Sequence, residues 1–295
     1  MQNTTNTLRQ KIGARVKLYW PLIKSLQTGL LLITGITGYI SARCPISSFE
    51  IGFGLLGSLF LAISGSTILN MVYDRDIDSK MNRTAHRPLP SGRLDAKEAM
   101  VLGLSISFAG LLWALMLSFQ YAAVVFAGLF IDVVIYTMWL KRRTAWSIIW
   151  GGISGGMPVL AGRTLGLGTV DGIGILFALA ILLWIPTHIM TFSMRYHDDY
   201  QRADVPTFPS TYGNKYTRLI IAISSLGAAI AIGMGAMAIG LSWGYLRLLG
   251  ILSIGILGLS LASVLRPSEK INFGLFKYAS LYMLSAMLLV IFGGM

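Results

Sequence analysis

The feature that most constrains this sequence is a series of long apolar runs, each long enough to cross a lipid bilayer. A membrane-spanning helix needs about 20 predominantly apolar residues. Nine such runs are separated by short polar loops, near residues 21–42, 50–72, 97–118, 121–140, 147–163, 172–194, 217–240, 244–265 and 275–294. Because a bilayer offers no water to backbone groups, such runs fold as helices. The pattern predicts an all-α polytopic membrane protein with nine transmembrane helices.

The composition agrees with a membrane protein and excludes several other classes. Of the 295 residues, 55% are hydrophobic and only 12% are charged, whereas a soluble domain carries about 25% charged residues. The net charge of +12 does not indicate nucleic acid, because the Lys and Arg residues lie in short loops and not along an aromatic-rich basic surface. The single cysteine, Cys44, excludes an internal disulfide and a thiolate metal cage.

The basic residues predict the orientation in the membrane, since cytoplasmic loops are enriched in Lys and Arg. With nine spans and a cytoplasmic N-terminus, 21 of the 24 Lys and Arg fall on the cytoplasmic side, and only Arg43, Arg163 and Arg247 fall outside it. The polar and basic residues 1–17 predict no removable signal peptide. We therefore expect a multi-pass protein of the cell membrane in which residues 1–20 are a cytoplasmic segment.

The two longest loops, 73–96 and 195–216, are both expected on the cytoplasmic side, and together they hold more than half of the acidic residues. One follows the second span and the other follows the sixth. This matching position predicts two four-helix repeats plus a ninth helix around a central cavity. Because the other loops are short, residues 1–295 are predicted to form a single domain with these two loops at its active site.

The first of these loops begins with an acidic cluster. Asn70, Asp74 and Asp78 are four residues apart, and on a helix of about 3.6 residues per turn they share one face. A face of oxygen ligands suits Mg²⁺, which proteins hold with one or two carboxylates plus substrate phosphates. The alternative is a solvated helix end with mixed charge, although carboxylates beside a bilayer-length apolar run are costly without a function.

A second acidic cluster, residues 196–204, closes the sixth span. If the helix continues past the span, Arg195 and Asp199 share a face, as do Tyr196 and Tyr200. A second Mg²⁺ site facing the first would hold a diphosphate from both sides and stabilise it as a leaving group. The alternative is an ordinary charged loop.

Four motifs, spaced along about residues 15–215, resemble the UbiA-type intramembrane prenyltransferases, and within them the protoheme IX farnesyltransferase (heme O synthase) branch. In chain order they read Asn70-x-x-Tyr73-Asp74-x-Asp76-x-Asp78 with Arg83-Thr84 and Arg87-Pro88-x-Pro90; Tyr136-Thr137-x-x-Leu140-Lys141-Arg142-x-Thr144; Gly151-Gly152-x-x-Gly155-x-x-Pro158; and Trp184-x-x-x-His188 with Asp199-Tyr200-x-x-Ala203-x-Val205-Pro206.

The resemblance implies Mg²⁺-dependent transfer of a farnesyl group from farnesyl diphosphate to a vinyl group of protoheme IX, which gives heme O. The expected partners are the two substrates, farnesyl diphosphate and protoheme IX, together with the lipid bilayer and terminal-oxidase assembly proteins. Nucleic acid is not expected as a partner. Carried over by position, the implied residues are the metal ligands Asn70, Asp74, Asp78 and Asp199, of which the three Asp are catalytic; the diphosphate-binding Arg83, Arg87, Lys141 and Arg142; and the acceptor-binding or cation-stabilising His188, Tyr73, Tyr136 and Tyr196.

Several departures from that branch, including Asp204 in place of a small residue and Thr207-Phe208-Pro209 in place of Met-Leu-Pro, leave the acceptor open. This chain has Trp20-Pro21-Leu22, with Lys24 further on, where the branch usually has Lys-Pro-Arg, and Pro186-Thr187-His188-Ile189-Met190 where it usually has Pro-Pro-His-Phe-Trp. UbiA-type transfer to a quinone precursor or a lipid glycerol is therefore the alternative function. A cation-coupled transporter is the alternative from another class, because paired repeats with acidic helix ends also suit ion exchange.

Two polar residues lie inside predicted spans, where they are expensive. His188 is either a buried histidine bonded to a carbonyl freed by Pro186, or an acceptor contact such as an axial ligand to heme iron. Asp132 is either a neutral, hydrogen-bonded packing group or part of the wall of the acceptor cavity.

Overall fold

The computed structural model describes residues 15–43 and 49–294, and all regular elements in these residues are helical. Residues 1–14 of the predicted N-terminal segment and Cys44 lie outside the described residues. After a short 3₁₀ turn at Trp20–Ile23, the helices are α1 (Ser25–Ser41), α2 (Phe49–Tyr73), α3 (Arg75–Lys80), α4 (Ala96–Leu117), α5 (Phe119–Leu140), α6 (Ser147–Leu167), α7 (Gly172–Arg195), α8 (His197–Arg202), α9 (Phe208–Ala238), α10 (Trp243–Leu265) and α11 (Glu269–Gly294).

Within the described part of the chain, seven helices are long and apolar enough to cross a membrane: α2, α4, α5, α7, α9, α10 and α11. The prediction of an all-α multi-pass protein is confirmed at that level. The first and fifth predicted spans correspond to α1, which has only 17 residues, and to α6, which contains six glycines and the charged Arg163. Their crossing of the membrane stays a prediction.

Helices α1 and α6 have this unusual composition because they pack backbone to backbone. A Cβ atom added at Gly38 would lie 1.9 Å from the carbonyl oxygen of Val159, and one added at Gly162 would lie 1.9 Å from that of Gly35. Only glycine permits so close an approach. Helices that face other helices on both sides need less apolar surface than helices that face lipid, so their hydropathy is lower.

The seventh span was predicted to begin near residue 217, but α9 begins at Phe208. A capping box accounts for this earlier start, because the Thr207 side chain accepts from the backbone of Ser210 while the Ser210 hydroxyl accepts from the backbone N–H of Thr207. The helix then bends at Gly213, whose φ of 81° lies in the left-handed region. The two long loops also contain short helices, α3 and α8.

Two hydrophobic cores flank the centre of the bundle. The larger core joins α6, α7, α9, α10 and α11 around residues such as Phe177, Ile221 and Tyr282. The smaller core joins α1, α2, α4, α5 and α6 around Leu55 and Tyr121. A cavity of about 760 Å³ opens where α1, α2, α5, α6, α7 and α11 meet. The fold therefore surrounds an internal space with apolar walls.

Candidate functional site

Asp74 and Asp78 form the acidic end of the cavity. Although α2 ends at Tyr73 and α3 begins at Arg75, helical hydrogen bonds continue across the break: the Asp74 N–H donates to the Asn70 carbonyl at 2.9 Å, and the Asp78 N–H donates to the Asp74 carbonyl at 2.8 Å. These bonds keep the three residues in line. Both carboxylates line the cavity and are buried, with 8% and 7% exposure.

Each of these carboxylates has one basic partner. Lys141 Nζ donates to Asp74 Oδ2, and Arg87 Nη1 donates to Asp78 Oδ2 at 3.0 Å. Asp74 Oδ1 is buried and has no hydrogen-bond partner among the described residues. Because buried polar atoms are nearly always partnered, this oxygen provides a free ligand position at the acidic end.

Both polar atoms of the Asn70 side-chain amide form hydrogen bonds within the protein. Its Oδ1 accepts from the Thr137 hydroxyl at 2.9 Å, and its Nδ2 donates to Asp132 Oδ2 at 2.8 Å. Asp132 also accepts from Ser66 and, at 3.4 Å, from Ser154. Asp132 thus lines the cavity as a fully hydrogen-bonded group and fixes the orientation of the Asn70 amide.

The second half of α5 is wound as a π-helix, from Ile131 to Leu140. In an α-helix of about 3.6 residues per turn, positions 132 and 141 would lie on opposite faces. The i→i+5 hydrogen bonds of a π-helix wind the chain more slowly, as in the bond from the Lys141 N–H to the Tyr136 carbonyl at 2.8 Å. As a result Asp132, Tyr136, Thr137 and Lys141 all reach the cavity wall.

Two lysines from different helices lie near the acidic end. Burial lowers the pKa of Lys141, but Tyr136 and Asp74 raise it more, so the net shift is upward and the ammonium stays charged. Lys24, which was not among the predicted site residues, lies between the 3₁₀ turn and α1 with a φ of 44° and lines the cavity. Lys24 forms no ion pair with a carboxylate of the described residues.

Arg142 does not approach the cavity as predicted. Its two terminal nitrogens each lie 2.6 Å from an oxygen of Asp76, and Nη2 also donates to the Tyr73 carbonyl. This hydrogen bond from Arg142 lowers the pKa of Asp76. The exposed pair braces the end of α5 against the break between α2 and α3.

The second acidic cluster differs from the first. Asp199 is buried, with 6% exposure; its Oδ1 accepts from Arg202 and from the Asn82 N–H at 3.1 Å, and its Oδ2 lies 3.9 Å from Arg83 Nε. Burial raises the pKa of Asp199, but these hydrogen bonds from Asn82 and Arg202 lower it more. Asp199 therefore ties α8 to the loop after α3.

Arg83 links this cluster to the cavity. Its guanidinium carbon lies 5.0, 5.7 and 5.4 Å from the ring centres of Phe192, Tyr196 and Tyr200, and its Nη2 donates to the Tyr200 hydroxyl at 3.3 Å. Arg83 and Tyr200 line the cavity. The three rings hold the cation in place by cation–π contact.

His188, about two turns before the end of α7, lies between two aromatic rings. Its ring centre is 5.0 Å from that of Trp184 and 4.7 Å from that of Phe276, with interplanar angles of 16° and 20°. Its Nδ1 lies 3.2 Å from the Ser280 hydroxyl. We call Trp184, His188 and Phe276, which all line the cavity, the aromatic wall.

The structure thus divides the predicted site residues into two groups. Seven line the cavity: Asn70, Asp74, Asp78, Arg83, Tyr136, Lys141 and His188. Five lie outside its described lining: Tyr73, Arg87, Arg142, Tyr196 and Asp199. Among the described residues, no three His, Cys, Asp or Glu side chains come together as a metal site. A metal at the acidic end would therefore need ligands from a substrate.

The sequence over residues 31–285 matches the UbiA prenyltransferase family. A relative from Archaeoglobus fulgidus named protoheme IX farnesyltransferase is 41% identical over 203 residues, which is 68% of this chain and 70% of the relative.

Solved structures share the fold at low sequence identity. A structure described as digeranylgeranylglyceryl phosphate synthase in membranes superposes with a TM-score of 0.80 at 19% identity and covers 95% of this chain and 99% of its own. A UbiA homologue from A. fulgidus, bound to GPP and Mg²⁺, gives a TM-score of 0.68 at 16% identity, covering 92% of this chain and 99% of its own. The chain is a multi-pass membrane enzyme that belongs to the UbiA prenyltransferase family.

Proposed function

We propose that this chain transfers a farnesyl group from farnesyl diphosphate to a vinyl group of protoheme IX, with Mg²⁺ at the acidic end of the cavity. The observation that carries the proposal is the free, buried Asp74 Oδ1 beside Asp78, close to Lys141, at the end of a cavity with apolar walls. The name of the A. fulgidus relative supports the acceptor, and the GPP- and Mg²⁺-bound homologue supports the donor class and the metal.

The residues fit Mg²⁺ as a metal shared between protein and substrate. Asp74 and Asp78 supply carboxylate oxygens, and Asn70 Oδ1, which accepts one hydrogen bond, keeps a second lone pair. Two carboxylates and diphosphate oxygens are a typical Mg²⁺ ligand set. When bound, Mg²⁺ neutralises charge on the departing diphosphate. Asp199, whose Oδ1 accepts from Arg202 and from the Asn82 N–H, would help to hold a second Mg²⁺.

The basic residues have two different roles in this proposal. Lys141, Arg83 and Lys24 line the cavity and would contact the diphosphate directly, Arg83 with two parallel donors and the lysines as point charges. Arg87 and Arg142 act indirectly, since they hold Asp78 and Asp76 in place. Tyr196 likewise acts through Arg83, over which its ring lies.

In the reaction, the allylic C–O bond breaks and its electron pair leaves with the diphosphate. The electrons of the acceptor vinyl group form the new C–C bond, and a water molecule adds to the resulting cation and loses a proton. Tyr136, which lines the cavity, would shield the allylic cation with its ring. Tyr73 lies outside the described lining. A quinone precursor or a lipid glycerol remains the alternative acceptor, and family membership favours an enzyme over a transporter.

The same proposal includes the topology. All nine long helices cross the membrane, with the N-terminus and the two acidic loops in the cytoplasm, as the distribution of Lys and Arg indicates. The two-repeat arrangement is supported by extensive packing of α2 on α4 and of α7 on α9, at equivalent positions of the proposed repeats, with α1 against α6 between them. The cell membrane as location and a terminal oxidase as assembly partner stay predictions from the resemblance.

Membranes containing the chain, radiolabelled farnesyl diphosphate and Mg²⁺ test this proposal with separate acceptors: protoheme, a quinone precursor and a lipid glycerol. We expect a labelled lipid-soluble product with protoheme, and none with Asp74→Ala. Asp198→Ala is the matched control, because Asp198 is exposed and lies outside the described cavity lining. A product formed only with another acceptor would refute protoheme as the acceptor, whereas equal product from wild type and Asp74→Ala would refute the proposed site.

A further inference from the structure

A group of polar side chains lines the cavity one helical turn inside the acidic end. We call it the polar patch; its members are Ser66 and Asn70 on α2, Asp132 and Thr137 on α5, and Ser154 on α6. Asn70 lies one turn before Asp74, because the Asp74 N–H donates to its carbonyl. An ionisable side chain within a spanning segment is costly and usually serves a function, so the carboxylate of Asp132 needs an explanation.

The two oxygens of Asp132 are used unequally. Oδ2 accepts from Asn70 Nδ2 at 2.8 Å and from the Ser66 hydroxyl. Among the described residues, Oδ1 has a single contact, the Ser154 hydroxyl at 3.4 Å, which is long for a hydrogen bond. The one proton of that hydroxyl has a closer acceptor, the Gly151 carbonyl at 2.9 Å. Oδ1 therefore keeps the capacity to accept from a further donor.

Asp132 also differs from the other carboxylates of the cavity. Among the described residues that line it, the carboxylates are Asp74, Asp78 and Asp132. The first two each have a basic partner, whereas Asp132 forms no ion pair within the described part of the chain. In the proposed function the first two also hold Mg²⁺, so their oxygens stabilise charge. Asp132 is the carboxylate that stays available to accept a proton.

We propose that Asp132 is the general base that holds and deprotonates the water molecule added in the last step of the reaction. This inference rests on the proposed function, in which the acceptor vinyl group attacks the allylic cation and leaves a second cation on the carbon next to the porphyrin ring. The water oxygen forms the new C–O bond with that carbon. One O–H bond of the water breaks, its electron pair stays on the oxygen, and the proton passes to Asp132 Oδ1.

The position of the polar patch suits this step. A diphosphate held at the acidic end has its allylic carbon on the side that faces into the cavity. Asn70 and Asp132 border the next helical turn in that direction, about 5.4 Å further in. A general base must lie within hydrogen-bond reach of the proton that it takes, and this level of the cavity is where the reacting carbons are expected.

The second cation has another fate when no base activates water. It can lose a proton from the neighbouring carbon to the departing diphosphate, and the product is then an alkene that is lighter than the hydroxylated product by one water. The two products have different masses and can be measured separately. The share of alkene therefore reports the water step, which a purely structural role of Asp132 would not change.

Asp132→Asn changes the free oxygen and little else. The amide oxygen can take the place of Oδ2 and accept from Asn70 and Ser66, while the amide nitrogen takes the place of Oδ1 and cannot accept a proton. Asp132→Ala removes the proton acceptor and the orientation of Asn70 together. The matched control is Asp171→Asn, because Asp171 is a hydrogen-bonded carboxylate outside the described cavity lining.

The test uses membranes with the full-length chain, farnesyl diphosphate, Mg²⁺, protoheme and isotope-labelled water, and mass spectrometry measures both products. Wild type and Asp171→Asn should give the hydroxylated product with the label. Asp132→Asn should form it at least about 10²-fold more slowly, with a larger share of alkene. The Mg²⁺ concentration that gives half of the maximal rate should stay within about twofold of wild type in Asp132→Asn and rise in Asp132→Ala.

Binding of farnesyl diphosphate with Mg²⁺ to Asp132→Asn should match wild type and so show that the variant is folded. Hydroxylated product at the wild-type rate from this variant would overturn the role of Asp132 as the base. A loss of rate that more Mg²⁺ restores would also overturn it, because that loss would come from Asn70. In both cases wild type still acts on protoheme and only this inference fails. If wild type forms no product from protoheme, the proposed function fails and the water step falls with it.

Discussion

The two acidic clusters look alike in the sequence but differ in what they offer to a ligand. Asp74 has a free buried oxygen and, with Asp78, lines the cavity. Asp199 is equally buried, yet both of its oxygens face Arg or backbone N–H groups and it lies outside the described cavity lining. A buried carboxylate marks a binding site only when part of its hydrogen-bonding capacity is left unused. We therefore propose that the first cluster binds the ligand and that the second supports it.

Asp74→Asn should cause the largest loss of activity. The substitution replaces the free carboxylate oxygen with a neutral amide group and leaves Lys141 without its partner, so we expect kcat/KM for farnesyl diphosphate to fall about 10²–10³-fold. Chelation of divalent metal should have at least as large an effect on wild type. Steady-state assays over a range of Mg²⁺ concentrations measure both. If Asp74→Asn kept wild-type activity and Mg²⁺ dependence, the acidic end would not be the metal site.

Asp199→Asn should reduce activity by only about tenfold, because it acts through the placement of Arg83 and the loop after α3. Its matched control is Asp198→Asn, which changes an exposed neighbour and should be neutral. If Asp199→Asn lowers kcat/KM as much as Asp74→Asn and changes the Mg²⁺ dependence in the same way, the two clusters do not differ in function. That result would make Asp199 a metal ligand that releases Arg202 on binding.

Lys24→Met should have a smaller effect, confined to binding of the donor. Removal of one ammonium from the cavity wall should raise KM for farnesyl diphosphate about fivefold, or about 1 kcal/mol, with little change in kcat. Lys80→Met is the control, because Lys80 pairs with the exposed Asp204 outside the described lining. A fall in kcat with unchanged KM would place Lys24 elsewhere in the reaction.

Asp171→Asn should leave activity unchanged and affect stability alone. Asp171 binds Arg163 with both oxygens, at 2.8 and 2.7 Å, and this hydrogen-bonded pair lowers the pKa of Asp171. A lowered pKa in the folded state gives stability that is present above the ordinary carboxyl pKa of 3.8 and is lost as the pH falls through the lower, folded value.

Thermal unfolding of wild type and Asp171→Asn, at neutral pH and below pH 3.8, should therefore show a difference in Tm that shrinks on acidification. Reduced turnover in the variant would show that a fully paired carboxylate far from the cavity still influences the reaction. An effect of Asp199→Asn on turnover would then not require any contact between the second acidic cluster and the cavity.

Local regularities made part of the site predictable. The i, i+4 spacing of Asn70, Asp74 and Asp78 predicted that they share one face. This holds across the break between α2 and α3, because the helical hydrogen bonds continue there. The apolar runs likewise located the long helices. Helix α9 begins before its predicted span, at Phe208, because a local cap at Thr207 and Ser210 determines where the helix starts.

The rest of the site depends on contacts between distant segments and on an irregular winding. Asp199 was assigned as a ligand from the resemblance, and its contact with the backbone of Asn82, 117 residues away, has no signal in the sequence. Trp184 stands one turn from His188 and could have been noticed, but Phe276 and Ser280 come from another helix. The π-helical stretch of α5 has no simple periodic signal, although it alone lets Asp132 and Lys141 share a wall.

The backbone contact between α1 and α6 has a consequence for how this cavity can diversify. At Gly38 and Gly162 no side chain can be added without pushing the two helices apart. Single substitutions at these positions therefore cannot rotate or shift α1 relative to α6. The packed helices α1 and α6 therefore form a rigid part of the cavity wall. New acceptors must then be accommodated by exchange of side chains on α7 and α11, and differences in specificity among descendants of this chain should accumulate there.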